Sequence, residues 1–188
     1  CRASSRNMRH TCPVGILMKT IPYTGLKNPA HSLEVVDNEN RPLCILPDED
    51  VIRQRLPHRA VALLVSDRNG QALLTRSSQG WCFSSHGRVP AGMACEYRVR
   101  EILLNDWGHE GKQISALGLI APGLENAMTF LHLFTARLPR TIIAAKAADR
   151  DRHLLVYRDE LKGLGTHFAD LLSPLMRTAI QRQYLFPA

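Results

Sequence analysis

Apolar and polar positions alternate in short, well-separated segments from about residue 32 onward. The stretch "SLEVVDNENRPLCILP" sets two β-rich runs on either side of a polar tetrad, Asp37 to Asn40, and predicts a hairpin. In "DEDVIRQRLPH" three acids precede apolar residues at helical spacing, which predicts a short helix over about 48–55 that Pro57 ends. The clearest local signal is "RAVALLVSDRNGQALLTRSS". Its two apolar runs flank Asp67-Arg68-Asn69-Gly70, and Asn-Gly predicts a hairpin turn because both residues accept positive φ.

In "SSHGRVPAGMACEYRVREILLNDWGHE" (84–110) the pattern changes from period two to period 3.6. It predicts a glycine turn, then a helix of about ten residues from Glu96, stopped by Gly108 or Gly111. Val99, Ile102, Leu103 and Trp107 follow i, i+3, i+4, i+8 and form a core-facing stripe. Strands are expected at "SALGLIAP" and "MTFLHLFTARLP", separated by a loop from Gly123 to Ala127. The segment "AAKAADRDRHLLVYRDELKGL" predicts a polar loop, a strand around Leu154 to Tyr157 and a short helix from about Asp159. A last helix, "SPLMRTAIQRQYLF", has Ser173 as N-cap and Pro174 at its first position. Ser77-Ser78 and Ser84-Ser85 suggest turns. The order of strands, helix, strands and helix makes this an α+β domain.

Composition adds bounds. With 188 residues, 45% hydrophobic and 22% charged, the chain suits one globular domain, residues 31–188. No apolar run approaches the ~18 residues that cross a bilayer, so no membrane partner is expected. The net charge of +7 is uneven, because Arg2, Arg6 and Arg9 lie in an opening stretch without acids. Residues 1–30 are expected to be a flexible, disordered basic leader, although an Arg-rich, acid-free start also suits some organelle transit peptides. The remaining modest basic bias suits a small anion; no Lys/Arg stripe with interleaved aromatics argues for nucleic acid. Cys1, Cys12, Cys44, Cys82 and Cys95 are odd in number and lack paired spacings. That favours free thiols in a reducing, cytoplasmic setting over a disulfide framework or zinc site.

Hairpin, glycine turn and helix in this order resemble the Nudix family of nucleoside-diphosphate-linked hydrolases, whose pattern is G-x5-E-x7-R-E-U-x-E-E-x-G-U, with U a bulky apolar residue. The resemblance covers most of residues 33–186, and "EVVDNENRPLCILPDEDVIRQRLPHRAVALLVSDRNGQALLTRSS" is similar to the branch containing isopentenyl-diphosphate isomerase. It implies an α/β/α sandwich around a mixed sheet, Mg2+ (or Mn2+) as cofactor, and a diphosphate or nucleotide as small-molecule ligand. A homodimer is common in the family, though nothing in the sequence selects one.

In register, Gly87 and Gly108 match the pattern's two glycines and Gly92 matches the glycine before the family's first glutamate, but Met93 stands at that glutamate. The R-E pair falls on Glu101 and Ile102, the E-E pair on Asn105 and Asp106, and His109 replaces the last apolar residue. The family's three glutamates share one helix face and hold magnesium with oxygen ligands. Here that face carries Ile102, Asn105 and Asp106. The resemblance implies Glu101 and Asp106 as catalytic candidates, Asn105, Asp106 and Glu101 as metal ligands, and Arg76, His86, Gly87 and Arg88 as ligand-binding residues. Glu101 lies roughly 140° around a regular helix from Asp106, and only a π-bulge would bring the two together. Glu125, Asp149 and Asp151 are loop acids that could supply a further carboxylate. Two functions stay open: a divergent Mg-dependent pyrophosphohydrolase, and a catalytically silent protein that binds a phosphorylated metabolite or a protein partner.

Overall fold

The computed structural model describes residues 31–111, 113–123 and 126–185. The basic leader (1–30) and Glu125 lie outside them. Strands β1 (Ser32–Val36) and β2 (Pro42–Pro47) form the expected hairpin, with Asp37 accepting the backbone N–H groups of Glu39 and Arg41. Helix α1 (Asp48–Arg53) follows directly. It stops before Pro57 acts, because Arg55 already has a positive φ of 52°.

Strand β3 (His58–Ser66) is the spine of the sheet. It pairs along its full length, in parallel, with β8 (Thr129–Arg137), which pairs antiparallel with the edge strand β7 (Ile114–Ile120). The other side of β3 is shared in turn by β1, β6 (Ser85–Arg88) and β4 (Ala72–Ser77). β4 pairs further with β5 (Gly80–Cys82) and β9 (His153–Val156). A strand covered on both faces reads as a continuous apolar run. This is why "AVALLV" in β3 shows no alternation: Val61, Leu63 and Val65 face one core, Ala60, Ala62 and Leu64 the other.

Helices close both faces. The first is covered by α2 (Cys95–Trp107) and α3 (Arg140–Ala147), through Val99, Ile102, Leu103, Trp107 and Ile143. The second is covered by α4 (Arg158–His167) and α5 (Pro174–Gln181), through Leu161, Met176 and Ala179. The expected α+β class, an α/β/α sandwich with a mixed sheet, is the architecture observed. Ser173 caps α5 as expected, its hydroxyl accepting the N–H of Met176.

Several local expectations need correction. In the β3–β4 turn only Gly70 has positive φ (81°), and Asn69 does not. The loop instead closes with Asp67 N–H bonded to the Gln71 carbonyl and the Asp67 carboxylate accepting from Asn69 and Gln71. The polar loop expected from residue 144 begins inside helix α3, which runs to Ala147. Pro139 sets its entry, and burial of Ile143 outweighs the weak helix propensity of the Ile-Ile pair. Ser84 and Ser85 are not turn residues. Ser84 is buried and accepts the Val65 N–H at 2.7 Å, while Ser85 opens β6.

Candidate functional site

The motif helix α2 carries no side-chain N-cap and ends on Gly108 at φ 60°, the left-handed conformation that stops helices. It is α-helical from Cys95 to Trp107, so no π-bulge moves Glu101 toward Asp106. Ile102 is 4% exposed and packs into the core with Val99 and Leu103. The position where the pattern requires a metal-binding glutamate therefore faces the sheet. Asn105 and Asp106 are exposed at the end of the helix.

Glu101 has another task. Its carboxylate accepts from Arg98 Nη1 at 2.8 Å, and Arg98 Nε donates to the Arg88 carbonyl at 2.9 Å. The pair ties α2 to β6. Gly87 belongs to the same contact. It lies within β6 opposite Val61, not in a turn, and a Cβ there would stand 3.1 Å from Ile102 Cδ1. Its role is close approach of helix to strand. The turn conformation belongs to Gly92 (φ 75°), whose N–H donates to Glu34.

Two neighbouring clefts collect the other candidates. The larger, about 670 Å³, is lined by the apolar Ile52, Ala60, Leu131 and Leu175, by His86, Gly87, Arg88 and Arg98, and by one acid, Asp48. Arg88 is exposed and forms no ion pair among the described residues. His58 also lines this cleft at 1% exposure. Its Nδ1 is 2.8 Å from the Leu56 carbonyl, so Nδ1 carries the proton and Nε2 is an acceptor, one without a partner. Burial lowers the His58 pKa, the bond to Leu56 opposes that, and nearby Arg88 adds to the lowering. The smaller cleft, about 230 Å³, brings together Arg76, His86 and Asp106. Arg76 lies over the Trp81 ring at 5.7 Å.

His86 thus links the two clefts; Asn105 and Glu101 line neither. Asp149 is bonded to the Arg152 N–H at 3.2 Å and Asp151 is exposed, and neither lines these clefts. Arg98 and His58 were not singled out from the sequence as site residues. The signal for Arg98 was its i, i+3 spacing to Glu101.

Among the described residues no group of three or more His, Cys, Asp or Glu side chains could hold a metal ion. Magnesium needs several oxygen ligands in near-octahedral array. A single exposed Asp106 beside an amide does not fit it. Cys44, Cys82 and Cys95 are free thiols. Burial foremost, with Glu96 beside it, pushes Cys95 up to about 11, so it is no thiolate nucleophile near neutrality.

No family model matches the chain, and no curated protein matches it. Among solved structures, the chain is similar to DR0079 from Deinococcus radiodurans, with a TM-score of 0.59 at 14% identity, over 80% of this chain and 97% of that one. A MutT/Nudix family protein from Listeria innocua overlaps at a TM-score of 0.49 and 17% identity, over 70% of this chain and 97% of that one. No helix among the described residues is long and apolar enough to cross a membrane. At these identities the likeness to DR0079 shows the fold, a mixed sheet between helices, and nothing finer.

Proposed function

We propose that the protein is a catalytically silent member of the Nudix-type architecture that binds a phosphorylated metabolite in the larger cleft. The observation that carries this reading is the orientation of α2. The box position that should supply a carboxylate is Ile102, locked in the core, and Glu101 is engaged by Arg98. What remains is a cleft in which two arginines, Arg88 and Arg98, outnumber one acid, Asp48. Arg88 offers an unpaired guanidinium fork suited to phosphoryl oxygens, with His86 beside it. Ala60, Leu131, Ile52 and Leu175 offer apolar surface to the rest of the ligand. His58 Nε2, an unpartnered acceptor, would select a ligand that carries a hydrogen-bond donor away from its phosphate.

A second reading, weak hydrolysis assisted by Mg2+ or Mn2+ at Asp106, is favoured by one fact: Asp106, Arg76 and His86 share the smaller cleft. One experiment separates the two. Release of phosphate or pyrophosphate is measured with both metals over a panel of nucleotides and isoprenoid diphosphates, for the protein and for Asp106→Ala. Absence of turnover in both, with thermal stabilisation by one ligand that Arg88→Gln abolishes, supports the binder. Turnover that disappears in Asp106→Ala overturns it.

A further inference from the structure

The carboxyl ends of the two parallel strands, at the far end of the sheet from the larger cleft, hold a third cavity of about 610 Å³. Ser66 and Arg137, the last residues of β3 and β8, are register partners, as His58 and Thr129 are at the first ends. Eight residues of strand separate the two places by roughly 26 Å. Arg68 reaches the cavity from the β3–β4 turn, Arg137 from the end of β8 and Arg140 from the first position of α3. None of the three forms an ion pair among the described residues.

One acid, Asp67, also lines the cavity, and its single negative charge leaves the three guanidinium groups in excess. Asp67 is 2% exposed, and its Oδ1 accepts from the N–H groups of Asn69 and Gln71 at 2.8 and 2.9 Å. His109 lines the same cavity, and its Nδ1 accepts the Gly111 N–H at 2.9 Å. The proton of the neutral ring then sits on Nε2, leaving a donor rather than an acceptor. No side chain caps the start of α3, so the positive end of that helix also opens here. Three unpaired guanidinium groups, an imidazole N–H and a helix start converge on one concavity. Its apolar lining is confined to Leu138 and Pro139.

We propose that this cavity is a second anion site, independent of the cleft beside α2, that takes a small multiply charged phosphate compound. Guanidinium forks bind phosphoryl oxygens pairwise, and three of them match a diphosphate better than a single phosphate. The position beyond the carboxyl ends of parallel strands, at a helix start, is one where anions commonly bind.

The probe is inorganic pyrophosphate, titrated into the 15N-labelled full chain at fixed ionic strength and followed by amide NMR and calorimetry. Amide shifts should appear in residues 66–71 and 137–141. Arg137→Gln with Arg140→Gln should weaken the binding that causes them by about tenfold or more, a step of ~1.4 kcal/mol. Arg88→Gln should leave it unchanged. Arg68→Gln, on an exposed turn, provides a second variant with little risk to folding and should weaken the same shifts. The proposal is overturned if those segments do not shift, if the variants bind within about twofold of the parent, or if sulfate binds there equally well.

Discussion

Replacing Ile102 by glutamate would restore the carboxylate that the Nudix pattern places on α2, and the geometry predicts a large loss of stability in place of a metal site. Ile102 is 4% exposed among Val61, Leu63, Val99 and Leu103. Loss of a fully buried aliphatic side chain costs about 2–3 kcal/mol. Burial of a carboxyl group without a partner, even in its neutral form, adds about 1–3 kcal/mol. Together they remove about 3–6 kcal/mol from a domain whose whole stability is of order 5–15 kcal/mol. The sign of the pH dependence follows. Burial raises the pKa of the new carboxyl in the folded state, so the penalty is least below its unfolded value near ~4.3 and grows as pH rises. Urea unfolding of Ile102→Glu and the parent should therefore show a smaller gap at pH 5 than at pH 8. Ile102→Val, which keeps the site apolar, should cost only about 0.5–1.5 kcal/mol. A loss below about 1 kcal/mol for Ile102→Glu, or stronger stabilisation of that variant than of the parent by millimolar Mg2+, would refute the argument. Either would mean that this face opens to solvent.

Gly87→Ala sets a methyl 3.1 Å from Ile102 Cδ1 and 3.2 Å from Arg98 Nη2, so it should cost about 1–3 kcal/mol in urea unfolding. Ser84→Ala removes the acceptor of the buried Val65 N–H and should lower stability by about 1–3 kcal/mol, measured the same way. Burial lowers the pKa of His58, His132 and His153, with cationic neighbours Arg88, Arg59 and Lys146 acting in the same direction. The unfolded chain then binds more protons than the native state. Stability should hold above pH ~6.5 and fall as pH drops through that value toward the folded pKa values. A urea midpoint that stays flat from pH 7.5 to 5.5 would contradict this, and His58→Gln should shallow the slope.

Much of the fold was legible because it is local. Hairpin turns, the acids opening α1, Gly108 and Ser173 at helix ends, and the stripe of Val99, Ile102, Leu103 and Trp107 depend on neighbours a few residues away. The same stripe already placed Ile102 on the buried side of α2. Helix α3 was not legible in this way, because the β-branched run Thr141-Ile142-Ile143 favours strand by local propensity. Only the core that receives Ile143 makes it helical.

The sites depend on distant parts of the chain. Gly87 has the outline of a turn glycine, yet its meaning comes from α2 packing against β6. Glu101 could be read as a displaced ligand until Arg98 and the Arg88 carbonyl occupied its surroundings. Arg68 and Arg140 are far apart in sequence and meet because β3 and β8 run parallel in one register. By itself the sequence determined most of the strands and helices, though not α3 or β6, and which faces avoid water, since backbone geometry and apolar spacing act over one or two turns. Only the tertiary structure decided which charges remain unpaired in a concavity, because that depends on every neighbour the fold brings within a few ångströms.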